Sequence, residues 1–255
     1  MVKIFRKIRQ HVIEENRFGK YLLYALGEII LVVVGILIAL AINNGNQDRI
    51  TERNEQTYLY GLSEEFQTSK MKLKNLIVVN QHNYNGAKKI LEHISNKEAP
   101  PTEAAFSELM YHTFSDDIAF NPNNSLLQEM INSGNLKNLR NTELRKQLTN
   151  WISTMEDITK QEAELGIQRE KVLDMFRTDQ NSLRTIFKQA GIYDELGLPK
   201  ADEDISNLGL LNSTEFENNI LMFILSSYAT EKAHYIPLMH DLDTILKLVK
   251  NEIKR

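Results

Sequence analysis

The sequence predicts an all-α protein in which a single N-terminal transmembrane helix is followed by a long-helix bundle outside the membrane. An apolar run from Tyr21 to Ile42 contains a single charged residue. Beyond it, apolar residues recur with helical spacing between helix-capping and Gly/Pro signals, and strand patterns are scarce. We therefore divide the chain into a basic cytoplasmic juxtamembrane segment (1–20), a transmembrane helix (21–42) and an extracytoplasmic all-α bundle domain (43–255).

The apolar run is long enough to cross a bilayer. Its 22 residues would span roughly 33 Å as a helix, against about 30 Å of hydrocarbon. Fourteen Leu, Ile and Val residues favour insertion by about 4 to 8 kcal/mol. Glu28 opposes it by about 2.5 to 3.5 kcal/mol at most, because it lies off the midplane. A cleaved signal peptide is the alternative, since Ala39-Leu40-Ala41 has the spacing that signal peptidase accepts.

The charges on the two sides of the run predict its orientation. Residues 1–20 carry six basic and two acidic groups, whereas residues 43–255 carry 24 basic and 31 acidic groups. Because Lys and Arg accumulate on the cytoplasmic side of a span, we predict the inner (plasma) membrane with the N-terminus inside. The first twenty residues either form an amphipathic helix on the lipid surface or only set the topology. The acidic exterior argues against a nucleic-acid partner.

One face of the predicted span carries the features of an interaction site. Glu28, Gly35 and Ala39 lie within about 40° of one another on a helix of 3.6 residues per turn. The Gly-x-x-x-Ala spacing lets another helix approach closely, and intramembrane carboxylates are usually packed or functional. We therefore predict that this face meets its own copy or a partner membrane protein. In the alternative, an isolated helix, Glu28 snorkels toward the headgroups.

Two segments carry a resemblance to a known family. The segments FRKIRQ and GKYLLYALGEIILVVVGILIALAINN resemble the N-terminal signature of a family of uncharacterised single-pass membrane proteins with a helical exterior, a domain of unknown function. The segment LLQEMINSGNLKNLRNTELRKQLTNW is similar to that family's second block. Gly45 departs from the pattern, which leads us to expect Trp there. The resemblance implies the architecture and topology and brings no known activity.

The first half of the exterior is predicted to begin with a long helix from Asn46 to about Lys97. Its apolar residues recur near heptad spacing but are interrupted at Ser69, which favours packing inside a bundle over a free coiled coil. Asn83 to Gly86 is a candidate break. Pro100-Pro101 ends the segment, and Thr102 is suited to cap a short helix through about Phe114.

The second half is predicted to contain three further helical segments. Ser125 to Ser133 reads as a helix closed by Gly134. Asn141 or Thr142 caps a long helical pattern to about Ala190, which we expect to break either at Gly166 or at Asn181-Ser182.

The last predicted helix begins after a loop over residues 191–212. Thr214-Glu215-Phe216-Glu217 matches a capping box at its start. The helical pattern then runs nearly to Arg255, and Pro237 predicts a kink within it.

The sequence contains few candidate catalytic or metal-binding motifs. The sharpest candidate is Glu231-x-x-His234, whose spacing puts a carboxylate and an imidazole on one helical face, as in di-iron bundles. Such a site needs a second Glu-x-x-His, and none of the other five histidines has Glu three residues before it. We therefore predict no catalytic, cofactor-binding or metal-binding residue.

Weaker candidates are read mainly as structural or solvated residues. His112 with Asp116, and His240 with Asp241 and Asp243, are possible acid/base pairs. Asp202-Glu203-Asp204 is a candidate calcium site, for which a solvated acidic loop is preferred. Arg145 is a candidate for anion binding, for which a structural ion pair is preferred.

These observations favour a non-enzymatic function. The leading hypothesis is a membrane-anchored scaffold, adaptor or accessory subunit, because catalytic motifs are missing and the span has a marked face. A ligand-sensing exterior that signals through a partner membrane protein is the second hypothesis, and it requires an apolar pocket between helices. A metal-binding or enzymatic helical bundle is the third.

Overall fold

The structure is a computed structural model that describes residues 18–199 and 205–254. Most of the predicted basic segment and the Asp202-Glu203-Asp204 candidate lie outside those residues. The chain divides into two compact units, Met1–Glu55 and Gln56–Arg255. The described residues contain helices and connecting loops and no strand, which confirms the all-α prediction.

Helix α1 (Phe18–Ser95) contributes the described part of the first unit. Its apolar stretch is exposed on all sides, with none of it buried inside the protein. Among the described residues, α1 is the one helix that is long and apolar enough to cross a membrane. Because a helix that is apolar all round needs an apolar environment, α1 is a candidate membrane span.

The second unit combines residues 56–95 of α1 with a series of shorter helices. In chain order these are α2 (Glu103–Phe114), α3 (Ser125–Asn132), a 3₁₀ helix (Asn135–Asn138), α4 (Thr142–Asp174), α5 (Leu183–Gln189), α6 (Ile192–Glu195), a second 3₁₀ helix (Leu208–Asn212), α7 (Thr214–Thr230), a π-helical turn (Glu231–Tyr235) and α8 (Ile236–Glu252).

Within the second unit, α1 packs as part of the bundle. Leu59, Leu62 and Phe66 are fully buried, as the apolar spacing predicted. The predicted break at Asn83 to Gly86 is wrong, because α1 continues through it to Ser95. Gly86 instead permits a close approach to α2, since a Cβ atom at this position would overlap the Thr113 side chain.

Local signals set the ends of α2 and α3. The Thr102 hydroxyl accepts a hydrogen bond from Ala105 N at 3.2 Å, which confirms it as the N-cap of α2. Gly134 follows α3 with a φ of 69°, the left-handed conformation that Gly adopts without strain. From α1, Glu65 accepts hydrogen bonds from Leu126 N and Leu127 N at the start of α3, where a negative charge is stabilising.

Helix α4 is shorter than the predicted helical pattern. The Asn141 side chain caps it by accepting from Leu144 N at 2.9 Å. It ends at Asp174, and Ser182 then caps α5 by accepting from Thr185 N at 3.2 Å. Of the two predicted break points, Asn181-Ser182 is therefore right, and Gly166 lies inside α4.

The last predicted helix differs from expectation at two points. Its N-cap is Ser213, which has extended backbone and accepts from Phe216 N at 3.2 Å, so the capping box predicted to start at Thr214 is wrong. With Ser213 as the N-cap, the third helical residue is Phe216, whose side chain has no acceptor for the reciprocal hydrogen bond. Where a kink is predicted at Pro237, the structure has a π-helical turn, Glu231–Tyr235, just before this residue. Because proline has no N–H to donate to the preceding turn, a widened turn accommodates the chain there.

Aromatic contacts connect the helices of the second unit into one core. Phe66 of α1 meets Trp151 of α4 edge-on at 5.1 Å between ring centroids. Phe106 of α2 and Phe216 of α7 lie 6.3 Å apart, and the rings of Phe114 and Phe223 lie 5.0 Å apart. Helix α7 is therefore held on its inner side by α2, and α4 packs along it as well.

Candidate functional site

The predicted interaction face of the span lies on the exposed surface of α1. Glu28, Gly35 and Ala39 are all exposed and share one side of the helix by their spacing. A Cβ atom added at Gly35 would meet no neighbouring side chain, so this side is open. Contact with a second helix there stays a prediction.

The structure directs the side chains of the Glu231-x-x-His234 pair to different surroundings. Glu231 is 1% exposed and faces α1, where its carboxylate accepts from Tyr84 Oη at 3.2 Å and from Lys232 Nζ at 2.8 Å. His234 instead lines a groove between α4 and α8. Among residues 18–199 and 205–254, no three His, Asp or Glu side chains are grouped closely enough to hold a metal ion.

Electrostatics keep Glu231 ionised despite its burial. Burial alone raises the pKa of its carboxyl group, but hydrogen bonds from Lys232, Gln81 and Tyr84 outweigh this effect and lower the pKa below its ordinary value. Burial and the nearby carboxylate raise the pKa of the Tyr84 hydroxyl in turn. The cluster is thus a satisfied ion pair at the start of the π-helical turn, with a structural use.

Two of the weaker sequence candidates have structural partners. Arg145 donates to the carbonyls of Leu139 and Arg140 and to Thr142 Oγ1, so it closes the turn before α4 rather than forming the predicted ion pair. Asp243 forms an ion pair with Lys70 of α1.

An apolar cleft of about 380 Å³ lies between α2, α4, α5 and α6. Its floor consists of buried apolar side chains, and two exposed leucines, Leu183 of α5 and Leu196 just after α6, lie at its mouth. Thirteen residues line it: Met110, Tyr111, Phe114, Ser115, Arg169, Leu173, Phe176, Arg177, Leu183, Ile186, Phe187, Ile192 and Leu196.

Both guanidinium groups at this cleft are already engaged. Arg169 donates from Nε and Nη2 to the carbonyl of Phe114, at the C-terminal end of α2, and it also lies 3.4 Å from Glu170. Arg177 pairs with Glu170 at 2.9 Å and with Asp174. The cleft therefore combines apolar walls with a charge-balanced rim.

The outer face of α7 is a second unusual surface, defined by Leu221, Met222, Leu225 and Tyr228. These side chains are 46%, 47%, 60% and 49% exposed, respectively. They lie at helical spacing on the side opposite the buried Phe216, Ile220 and Phe223. Because α7 is apolar on both sides, its outer face resembles a surface that another molecule covers.

This outer face is not among the sites predicted from the sequence, although the sequence carries a signal for it. The signal is an uncharged stretch, since residues 218–230 contain no Asp, Glu, Lys or Arg. A surface helix normally places charges on its outer side. The cleft has no such local signal, because residues from 110 to 196 must come together to form it.

Together, the fold and these surfaces define a class: a helical protein with one candidate membrane span and a separate helical unit that carries potential binding surfaces. More specifically, the chain belongs to a family of unknown function, DUF6090, whose sequence profile matches residues 28–171. The matched residues include the segment LLQEMINSGNLKNLRNTELRKQLTNW and end before α7 begins. Comparison with curated proteins and with solved structures finds no match.

Proposed function

We propose that this protein is a membrane-anchored scaffold or adaptor that binds a helix of a partner protein on the outer face of α7. The observation that carries the proposal is the exposed apolar surface formed by Leu221, Met222, Leu225 and Tyr228. Helices with apolar anchors at such spacing commonly bind a complementary helix face.

The size of the apolar surface is consistent with specific binding. Fully burying a large apolar side chain contributes about 1.5 to 3 kcal/mol, and these four are roughly half exposed. Covering them would contribute about 3 to 6 kcal/mol before the cost of association. Additional polar contacts at the rim are therefore needed for a stable complex.

The charges at the ends of the outer face indicate the chemistry of the partner. Glu215 and Glu217 flank its N-terminal end, whereas Lys232 at the other end is already paired with Glu231. The net charge available for pairing is thus negative. A partner helix with an apolar face and basic residues at one end fits this pattern.

The anchor in this proposal is the apolar part of α1, with the N-terminus in the cytoplasm and the helical unit outside the inner (plasma) membrane. The basic balance of residues 1–20 supports that orientation. The face containing Glu28, Gly35 and Ala39 would add a contact within the bilayer, with a second copy or with the same partner.

A photo-crosslinking amino acid in place of Leu225 tests the proposal in cells that produce the full chain. We expect a discrete crosslinked band to another protein, and no such band when the crosslinker replaces the exposed Lys160 of α4. Equal crosslinking at both positions would contradict the proposal. A band of twice the chain mass would identify a second copy and overturn the assignment to a different partner.

A ligand-sensing function is the second candidate, and the apolar cleft favours it. The cleft lies between helices of the second unit, as a sensing exterior requires. Its volume falls within the range of about 300 to 1,000 Å³ that small-molecule sites occupy. In this version, ligand binding would change how the helical unit contacts a partner membrane protein.

A further inference from the structure

We propose that the cleft between α2, α4, α5 and α6 binds an uncharged, mainly apolar small molecule. The proposal rests on the ligand-sensing candidate and adds the chemical class of the ligand. It follows from three properties of the cleft: its buried floor, its aromatic walls and its charge balance.

The floor and the mouth of the cleft differ in exposure. Met110, Phe114, Phe176 and Ile186 form a floor in which no side chain is more than 5% exposed. At the mouth, Leu183 is 36% exposed and Leu196 is 55% exposed. A bound apolar molecule would contact the floor and cover these leucines, which gives a favourable hydrophobic contribution.

Aromatic side chains supply much of the wall. Tyr111, Phe114, Phe176 and Phe187 all line the cleft. Rings in stacked or edge-on contact with a planar ligand contribute beyond the area that they bury. Tyr111 and Ser115 also line the cleft, and each carries a hydroxyl group suited to bind one polar group of the ligand.

The charge balance favours an uncharged ligand over an anionic one. Arg169 is bound to the Phe114 carbonyl and lies beside Glu170, and Arg177 is paired with both Glu170 and Asp174. An anion would have to displace these carboxylates or lie beside them in apolar surroundings. Either arrangement costs electrostatic free energy that an uncharged ligand avoids.

Methyl NMR on the full chain in lipid nanodiscs tests this assignment. With ¹³C-methyl methionine, 2-naphthol serves as an uncharged aromatic probe and 2-naphthoate as its anionic counterpart. We expect 2-naphthol to shift the Met110 methyl signal saturably. The signal of Met71, which is exposed and outside the cleft, reports non-specific association of the probe and should not change saturably. We expect 2-naphthoate to bind at least about tenfold more weakly.

A cleft-filling variant provides the matched control. Leu183→Trp adds bulk at the exposed mouth of the cleft, so it should fold and reduce the affinity for 2-naphthol at least about tenfold. Val78→Trp adds similar bulk at an exposed position of α1 outside the cleft and should leave the affinity unchanged. An unshifted Met110 signal, equal affinities in both variants or tighter binding of 2-naphthoate would overturn the assignment.

The same probe separates the binding site from the sensing function. If 2-naphthol binds at Met110 and changes the crosslinking yield at Leu225, the result supports both the binding site and the sensing function. Binding with an unchanged yield would uphold the site and contradict sensing through α7. Failure to bind would overturn the site and leave the scaffold proposal to its own crosslinking test.

Discussion

Glu162 is a half-buried carboxyl group that connects three parts of the bundle. Its Oε1 atom accepts from the Tyr235 hydroxyl at 2.7 Å and from the backbone N–H of Phe120 at 2.8 Å. Burial raises the pKa of Glu162, and nearby Asp117 adds to the increase, while the two hydrogen bonds lower it without cancelling the rise. The folded state therefore favours the protonated acid relative to the unfolded chain.

The raised pKa of Glu162 predicts a loss of folding stability as the pH rises, and Glu162→Gln should remove this loss. Because the folded pKa lies above the ordinary value of 4.5, the contribution of Glu162 to stability is greatest below that value. It is lost as the pH rises through the folded pKa. Gln keeps an acceptor for both hydrogen bonds and does not ionise. Urea denaturation should thus show E162Q gaining stability over wild type between pH 4.5 and neutrality.

The exposed neighbour Glu164 provides the control for this measurement. Glu164→Gln should leave the pH dependence of wild type unchanged. A fall in the stability of E162Q relative to wild type as the pH rises would contradict this prediction.

At the scale of elements, the contact between α1 and α2 depends on Gly86. A Cβ atom there would overlap Thr113 Oγ1 and approach the Thr113 carbons closely. We predict that Gly86→Ala lowers the free energy of unfolding by about 1 to 3 kcal/mol, although alanine favours helix. Gly166→Ala in α4, where a Cβ atom meets no neighbour, should instead stabilise by up to about 1 kcal/mol.

A double variant identifies the cause of the Gly86 effect. Thr113→Ala removes both the hydroxyl and the methyl group that the new Cβ atom would meet. In a double-mutant cycle by chemical denaturation, G86A should therefore be less harmful on the T113A background. Strictly additive effects would show that the two residues do not interact.

Local chemistry made several helix ends predictable from the sequence. The side chains of Thr102 and Asn141 accept the expected hydrogen bonds, and Gly134 has the expected left-handed conformation. These signals act within a few residues. The break predicted at Asn83 to Gly86 was wrong because it depends on a tertiary contact. Gly86 is needed for the close approach of α1 to Thr113 and does not end the helix.

The candidate sites were predictable to different degrees. The face of Glu28, Gly35 and Ala39 follows from helical spacing alone, and the outer face of α7 has a signal in the uncharged stretch 218–230. The cleft could not be predicted in the same way. Its lining brings together α2, α4, α5 and α6, and no local pattern specifies how those helices pack.

At the scale of the whole molecule, the predicted topology can be tested cleanly because the chain contains no cysteine. A single cysteine replacing the exposed Lys74 should react with a membrane-impermeant maleimide on intact cells. A single cysteine replacing Arg9 should react only after lysis. The opposite labelling pattern would contradict N-terminus-inside topology, and labelling of both sites on intact cells would contradict a membrane anchor.

The proposed recruitment of a partner protein by the outer face of α7 can be tested on the full chain. Affinity purification from membranes compares wild type with Leu225→Lys, with Glu28→Leu and with Ile167→Lys. Ile167 is an exposed apolar residue of α4 and is the matched control. We expect wild type and I167K to retain the partner and L225K to lose it, because a charge would be buried at the centre of the interface. Retention in L225K with loss in E28L would place binding in the span and contradict the claim.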